Sequence, residues 1–353
     1  MTTREAGHRI APLQAVRALA ALAIAVSHFH NQYLQVGKDN TFGFFGIGVD
    51  VFFVTSGFIM LHLSWDDFGA AGAPIRFFRR RLARIVPLYW LCTTAFLIHI
   101  LAFQSFELTH KSWVLYFSSL AFIPMTSNPF LEVGWTLNFE MYFYLVFAIC
   151  LGFPRRIALL VLFAALTSLI VAGKYFGLSL PLRFWANPIV FEFLLGAALA
   201  IVYRRAVLVP LWLLLPVTAV AFIMAYLAYF APGPLVPAIT PENRPIVWGA
   251  AATCMVACAL FVGIPVPIWI ERVGDASYAI YLVHALILYA SLEMIGRLYA
   301  FHLIVVPTRN WLFICGLVAI TVLVSLAIHT WFEKPLTRWL NSLGGAEDQA
   351  AHP

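Results

Sequence analysis

Charged side chains are scarce in this chain: they make up 11% of its 353 residues. A soluble domain carries about 25%. Hydrophobic residues reach 62%. That much apolar side chain excludes a fold surrounded by water, because its surface would associate. The remaining solvent is a bilayer, which demands spans of roughly 20 apolar residues whose backbone polar groups are satisfied internally. Long polar stretches are also missing, so no second domain is expected. Residues 1–339 read as one integral membrane domain and 340–353 as a polar, disordered tail. Cysteine is nearly absent. Cys92, Cys150, Cys254, Cys258 and Cys315 all lie in apolar runs and form neither a disulfide framework nor a thiol zinc pattern, so no metal is expected. An inverted repeat of the kind found in many transporters is not visible either.

What the chain does contain is a series of apolar runs. They predict an all-α, polytopic transmembrane helical bundle of about ten spans, at 12–33, 45–64, 84–104, 133–152, 157–173, 188–203, 208–230, 246–263, 273–295 and 310–331. The first, with its Ala-rich run from Ala18 to Val26, has the length of a signal peptide. Nine more spans follow and Arg17 and His28 bracket the run, so it reads as a retained helix. The stretch 112–125 is apolar but short, and reads as a re-entrant or interfacial segment. The net charge is +6. In a soluble protein this would raise the question of nucleic acid. Here the basic residues flank apolar spans, as at helix ends anchored at a membrane surface, and no nucleic acid is expected. With the N-terminus in the cytoplasm, the basic doublets and clusters all fall on the inner side, and both termini are cytoplasmic.

Ionisable groups inside spans are costly and mark function by default. Five matter most: Arg17 and His28 in the first span, Asp50 in the second, Glu140 in the fourth and His284 in the ninth. Arg17 and His28 are eleven residues apart, three helical turns and about 20° more, so they share a face about 16 Å apart along the axis. Asp50 opens the second span from the outer side, and Glu140 lies about five residues inside the fourth. Both are expected at the depth of His28. A carboxylate beside an imidazole orients its tautomer and stabilises its cation, which suits a general base. The plainer alternatives stay open: His28 as an interfacial residue, Glu140 as an Arg partner, Asp50 as a helix cap.

On the inner side, residues 76–84 read RFFRRRLAR. Arg76 and Arg79 fit a positive-inside anchor. Arg81 and Arg84 are three apart on one face, and guanidinium forks of this kind bind phosphate. An anion site low in the membrane below a polar site near the outer surface suits a long ligand with a phosphorylated head and a reactive tip. Coenzyme A has that shape.

Several motifs then resemble the membrane acyltransferase-3 family. LQAVRALAALAIAVSHFH is similar to its basic-residue-x10-His signature, on Arg17 and His28. GVDVFFVTSGFIM is similar to its second-span pattern, with Asp50, Ser56, Gly57 and Phe58. RRLARIVPLYW matches an Arg-x-x-Arg-x-x-Pro-x-Tyr element on Arg81, Arg84, Pro87 and Tyr89. GWTLNFEMYFY matches on Trp135 and Glu140, SYAIYLVH on Ser277, Tyr278, Tyr281 and His284, and FEKP closes the set. Six elements in order, over nearly the whole chain, make the resemblance specific.

The resemblance implies transfer of an acyl group, usually acetyl, from cytoplasmic acetyl-CoA (acyl-CoA) to a sugar hydroxyl of a cell-surface polysaccharide or lipid-linked oligosaccharide. It implies a multi-pass enzyme of the bacterial cytoplasmic (inner) membrane, in contact with the lipid bilayer and associated with polysaccharide assembly proteins. The opening looks most like the exopolysaccharide group. In this scheme His28, Glu140 and Asp50 are catalytic, and Arg17, Arg81, Arg84 and Tyr89 bind acyl-CoA. Trp135, Asn138, Tyr142, Ser277, Tyr281 and His284 bind substrate. The rival class is a transporter or flippase for a sugar or anionic substrate, using the same intramembrane charges. A third reading is a non-catalytic partner of a polysaccharide assembly machine, which would bind no CoA.

Overall fold

A computed structural model describes residues 10–33, 42–104, 107–207, 209–263, 265–301 and 311–350. The helices in chain order are α1 (Ala11–Tyr33), α2 (Ile47–Leu63), α3 (Ala73–Phe103), α4 (His110–Leu120), α5 (Trp135–Leu151), α6 (Arg155–Tyr175) and the single turn α7 (Leu182–Trp185). They continue with α8 (Phe191–Arg204), α9 (Leu211–Phe230), α10 (Ala250–Val262), α11 (Ile268–Asp275), α12 (Ser277–Ala300), α13 (Trp311–Ile328) and α14 (Lys334–Ala350). Strands are absent among the described residues. Nine helical segments there are long and apolar enough to cross a membrane. Those on α6, α9 and α13 bury little and present Leu160, Phe163, Trp212, Ile223, Leu312 and Leu323 outward. A surface of that composition is compatible with hydrocarbon and not with water.

The spans expected from hydropathy and the helices largely agree. The sixth expected span, 188–203, is a 3-10 turn (Pro188–Val190) followed by α8, which has only 14 residues. Asn187 caps that turn through Ile189 N–H, at 3.0 Å. The segment 112–125 gives α4, whose 11 residues extend about 16 Å, half of a bilayer core. Its last turn is held by Trp90, whose Nε1–H donates to Leu120 O at 2.9 Å. The basic run at 76–84 lies ahead of the expected span at 84–104. It is the opening of the 31-residue α3. The polar stretch after Leu340, expected to be disordered, continues α14 as helix to Ala350.

The chain divides into two compact units. One takes the chain up to Ala20, Phe44–Phe77 and Tyr142–Asp275. At its centre α2 lies along α8. Asp50 neighbours Glu192 at one end, Phe53 meets Phe193, and His62 meets Tyr203 at the other, so the two helices run parallel. Gly57 faces the backbone of Phe193, and Gly196 faces that of Val54. A Cβ at either would overlap a carbonyl oxygen, so glycine is what lets the helix axes approach. α10 starts beside the start of α2, with Trp248 packed against Ile47 and Phe44.

The other unit takes Ala21–Gly43, Phe78–Met141 and the chain from Ala276 onward. Here α1 and α12 run parallel: His28 meets His284 and, five residues on in α1 and seven in α12, Tyr33 bonds Ser291 at 2.7 Å. Ala25 and Phe29 of α1 pack on Ile314 and Leu317 of α13. α5 opposes α12. Tyr281 Oη donates to Val133 O at 2.8 Å and accepts from Thr136 Oγ1 at 2.9 Å.

The α2–α8 contact sets a test. Gly196→Ala should lower the thermal unfolding midpoint of the detergent-solubilised protein, by the ~1–3 kcal/mol typical of overpacking or more. An unchanged midpoint would contradict so close an approach.

Candidate active site

α1 is one unbroken helix, so Arg17 and His28 share a face as their spacing requires. Arg17 is buried and engaged by neighbours, as are Arg81 and Glu140. His28 Nδ1 lies 2.9 Å from His284 Nε2. The ring centroids are 5.0 Å apart and tilted by 43°. His284 is fully buried, and its Nδ1 lies 3.1 Å from the carbonyl oxygen of Ile280. Every polar atom of this imidazole therefore has a partner, which a group in hydrocarbon needs.

Ser277, Tyr281 and His284 are spaced four and three apart, on one face of α12. Tyr281 anchors this face on the start of α5 through the bonds described above. Its hydroxyl is thus committed to the fold and is not a free sugar contact. Tyr278 is buried, donates to Ile85 O at 2.7 Å, and stands among Cys92, Tyr89, Glu140 and Glu333. Glu333, from the FEKP element, accepts from His329 Nδ1 at 2.9 Å within a π-turn spanning His329–Glu333.

One expectation changes here, the depth of Glu140. Glu140 is grouped with Tyr278, and six residues, about 9 Å of helix, separate Tyr278 from His284. The carboxylate whose charge bears on His28 is Glu132, which accepts from Asn128 at 3.1 Å. The antiparallel register of α5 and α12 is the reason: Val133 and Thr136 lie at the level of Tyr281, so Glu140 falls deeper. Tyr89, expected at the CoA site, is fully buried. It packs on Phe122, 5.0 Å between centroids, and under Gly134, and its buried hydroxyl has no hydrogen-bond partner among the described residues.

Arg81 and Arg84 are half-buried on α3. Asn138 Oδ1 and Ser277 Oγ are buried with no hydrogen-bond partner among the described residues, which marks them for a ligand. Trp135 is half-buried and meets Phe139 edge-on at 6.0 Å. Tyr142 belongs to the first unit, stacked on Trp185 at 5.0 Å. Among the described residues no group of three or more His, Cys, Asp or Glu side chains could hold a metal ion.

Asp50 also belongs to the first unit. It is fully buried and receives a fork from Arg244, with Nε at 2.9 Å and Nη2 at 2.8 Å. Arg244 lies over the Trp248 ring, 5.0 Å from its centroid. Fully buried Glu192 of α8 completes the cluster beside Asp50 and Arg244. Asp50 is therefore an ion-pair partner holding α2 to the start of α10. The sequence reading passed over Glu192 and Arg244. Glu192 carried a usable signal, as an ionisable residue inside an expected span. Arg244 looked like an ordinary loop cation.

A helical protein with apolar outward faces and with Arg17, Asp50, Glu192, His284 and Glu333 buried among its helices is an integral membrane protein. A family model described as an acyltransferase domain matches residues 10–330, and the chain belongs to that family, acyltransferase-3. It is a membrane acyltransferase. It is similar to the exopolysaccharide production protein ExoZ of Rhizobium meliloti (strain 1021), at 32% identity over 67% of this chain and 74% of that one. It is also similar to the acyltransferase MdmB of Streptomyces mycarofaciens, at 26% identity over 94% and 92% of the two chains. No solved structure matches it.

The ion pair yields a prediction. Arg244→Gln leaves Asp50 buried and unpaired, and should cost about 3–5 kcal/mol of stability. Asp50→Asn in the same chain should recover part of that loss. Both are read from thermal unfolding in detergent, and strictly additive losses would contradict a direct pair.

Proposed function

We propose that this acyltransferase moves an acetyl group from cytoplasmic acetyl-CoA to a sugar hydroxyl of a cell-surface or lipid-linked polysaccharide. The observation that carries the reading is the His28–His284 contact at 2.9 Å, an imidazole held inside a helical membrane protein by a second, fully buried one. His28 is the general base. The acceptor oxygen bonds to the thioester carbonyl carbon, its proton passes to His28, and the C–S bond breaks. The proton then leaves on the CoA sulfur. Arg81 and Arg84 hold the CoA phosphates, and Arg17 balances charge along α1 below His28. Asn138 and Ser277 supply the buried acceptor atoms that the amide N–H groups of the pantetheine arm would meet. Glu132 stabilises the His28 cation as it forms, while Glu140 serves the deeper cluster around Tyr278. The polysaccharide acceptor follows the printed name of the 32% identical relative, and the MdmB likeness supports acyl transfer alone.

The reading includes ten crossings, with both termini cytoplasmic in an inner membrane. α8 counts as a crossing because it follows α2 in parallel from the level of Asp50 to that of Asp66, which meets Arg204 at 3.3 Å. Parity supports this. α10 starts beside the start of α2, so the chain crosses an even number of times between them, and α2, α3, α5, α6 and α9 need α8 to complete the set. The parallel pair α1 and α12 imposes the same condition.

Two experiments test the proposal. His28→Ala should abolish acetyl transfer by purified protein while leaving the amount in the membrane unchanged; retained transfer would end this mechanism. Arg81→Ala and Arg84→Ala should each weaken acetyl-CoA binding by roughly tenfold, the weight of one charge-assisted hydrogen bond. An unchanged affinity would remove them from the donor site.

A further inference from the structure

The hydrogen-bond chain around His284 fixes more than a contact. A backbone carbonyl can only accept, so His284 Nδ1, 3.1 Å from Ile280 O, carries a proton. Ile280 is four residues earlier in α12 and its carbonyl lies over the preceding turn, so this bond is built into the helix and holds the ring locally. The other nitrogen, Nε2, faces the His28 imidazole at 2.9 Å. His284 is fully buried, between a carbonyl and an imidazole. A neutral ring with its proton on Nδ1 meets both neighbours without placing a charge in hydrocarbon. Its Nε2 is then an acceptor. The bond to His28 therefore needs a proton on His28 Nδ1, which leaves the His28 lone pair on Nε2.

We infer that His284 is a positioning residue: the chain Ile280 carbonyl, His284, His28 locks His28 in the Nδ1–H tautomer and so presents Nε2 as the proton-accepting atom. This deepens the proposed function and rests on His28 acting there as the base. When His28 Nε2 takes the acceptor hydroxyl proton, its Nδ1–H bond to His284 persists and strengthens, because the donor is then a cation. His284 gives up no proton and touches no reacting atom. It does for His28 what a carboxylate does in other base dyads, without adding a second charge to the membrane interior. Tyr281, three residues before His284 and tied to Val133 and Thr136, holds that stretch of α12 against α5. Tyr33 and Ser291, bonded at 2.7 Å, fix the α1–α12 register above it.

Three variants and one spectrum test this. His284→Leu should lower kcat by about 10- to 100-fold, a share of what a positioned base contributes, with the KM for acetyl-CoA unchanged. His284→Gln puts an amide oxygen where Nε2 was, and should restore most of kcat. In the wild-type protein, 15N NMR of labelled histidine, with the His28 signals identified by their loss in His28→Ala, should show a protonated Nδ1 and an unprotonated Nε2 on His28. The proton found on His28 Nε2 would overturn the inference even if His284→Leu fails to fold. So would a wild-type kcat in His284→Leu, or a glutamine variant as slow as the leucine one. These outcomes concern His284 while His28→Ala stays inactive. Activity retained in His28→Ala would instead remove the base itself, and with it the proposed mechanism.

Discussion

An imidazole inside a bilayer has to find partners for both nitrogens within the protein, because lipid offers none and each unsatisfied group costs several kcal/mol. His284 finds them in a carbonyl of its own helix and in His28 of α1. Much of its unit is arranged around that contact. It links α1 and α12, which run parallel, and the Tyr33–Ser291 bond links them again further along. Tyr281 then fixes α12 to the start of α5, which brings Glu132 to the level of His28 and leaves Glu140 deeper, beside Tyr278. The carboxylate whose charge bears on His28 is thus decided by helix register and not by the motif that carries Glu140.

The other unit solves a different problem with the same physics. Two buried carboxylates, Asp50 and Glu192, face one guanidinium, Arg244. Well-packed apolar side chains could replace such a cluster without loss of stability, yet removing one member alone leaves an uncompensated charge. Its effect is directional: it joins the starts of α2, α8 and α10, while the glycine contacts at Gly57 and Gly196 bring α2 and α8 together further along. Asp50 therefore acts on the shape of its own unit.

Much of this architecture was legible in the amino-acid order. Hydropathy marked the spans because the bilayer imposes both length and composition. It marked α8 too, although Pro188 and the capped turn before Phe191 leave a shorter helix than the apolar run suggested. The shared face of Arg17 and His28 followed from the helical period alone. Contacts between helices were beyond that reach. His284 stood out as an ionisable residue in a span, but its partner depends on which helices touch. The depth of Glu140 failed for the same reason, since a residue count from a helix end ignores how far that helix is shifted along its neighbour. Tyr281 lies in a motif position yet serves packing, because its hydroxyl is spent on α5. Glu192 was visible in the sequence and passed over.

The proposed transfer to a sugar hydroxyl is read most directly on the product. Surface polysaccharide from cells with and without the protein can be compared by proton NMR in the O-acetyl methyl region. The account predicts that those signals are lost when the protein is absent and return with the wild-type chain but not with His28→Ala. O-acetyl signals of equal intensity in all samples would contradict it.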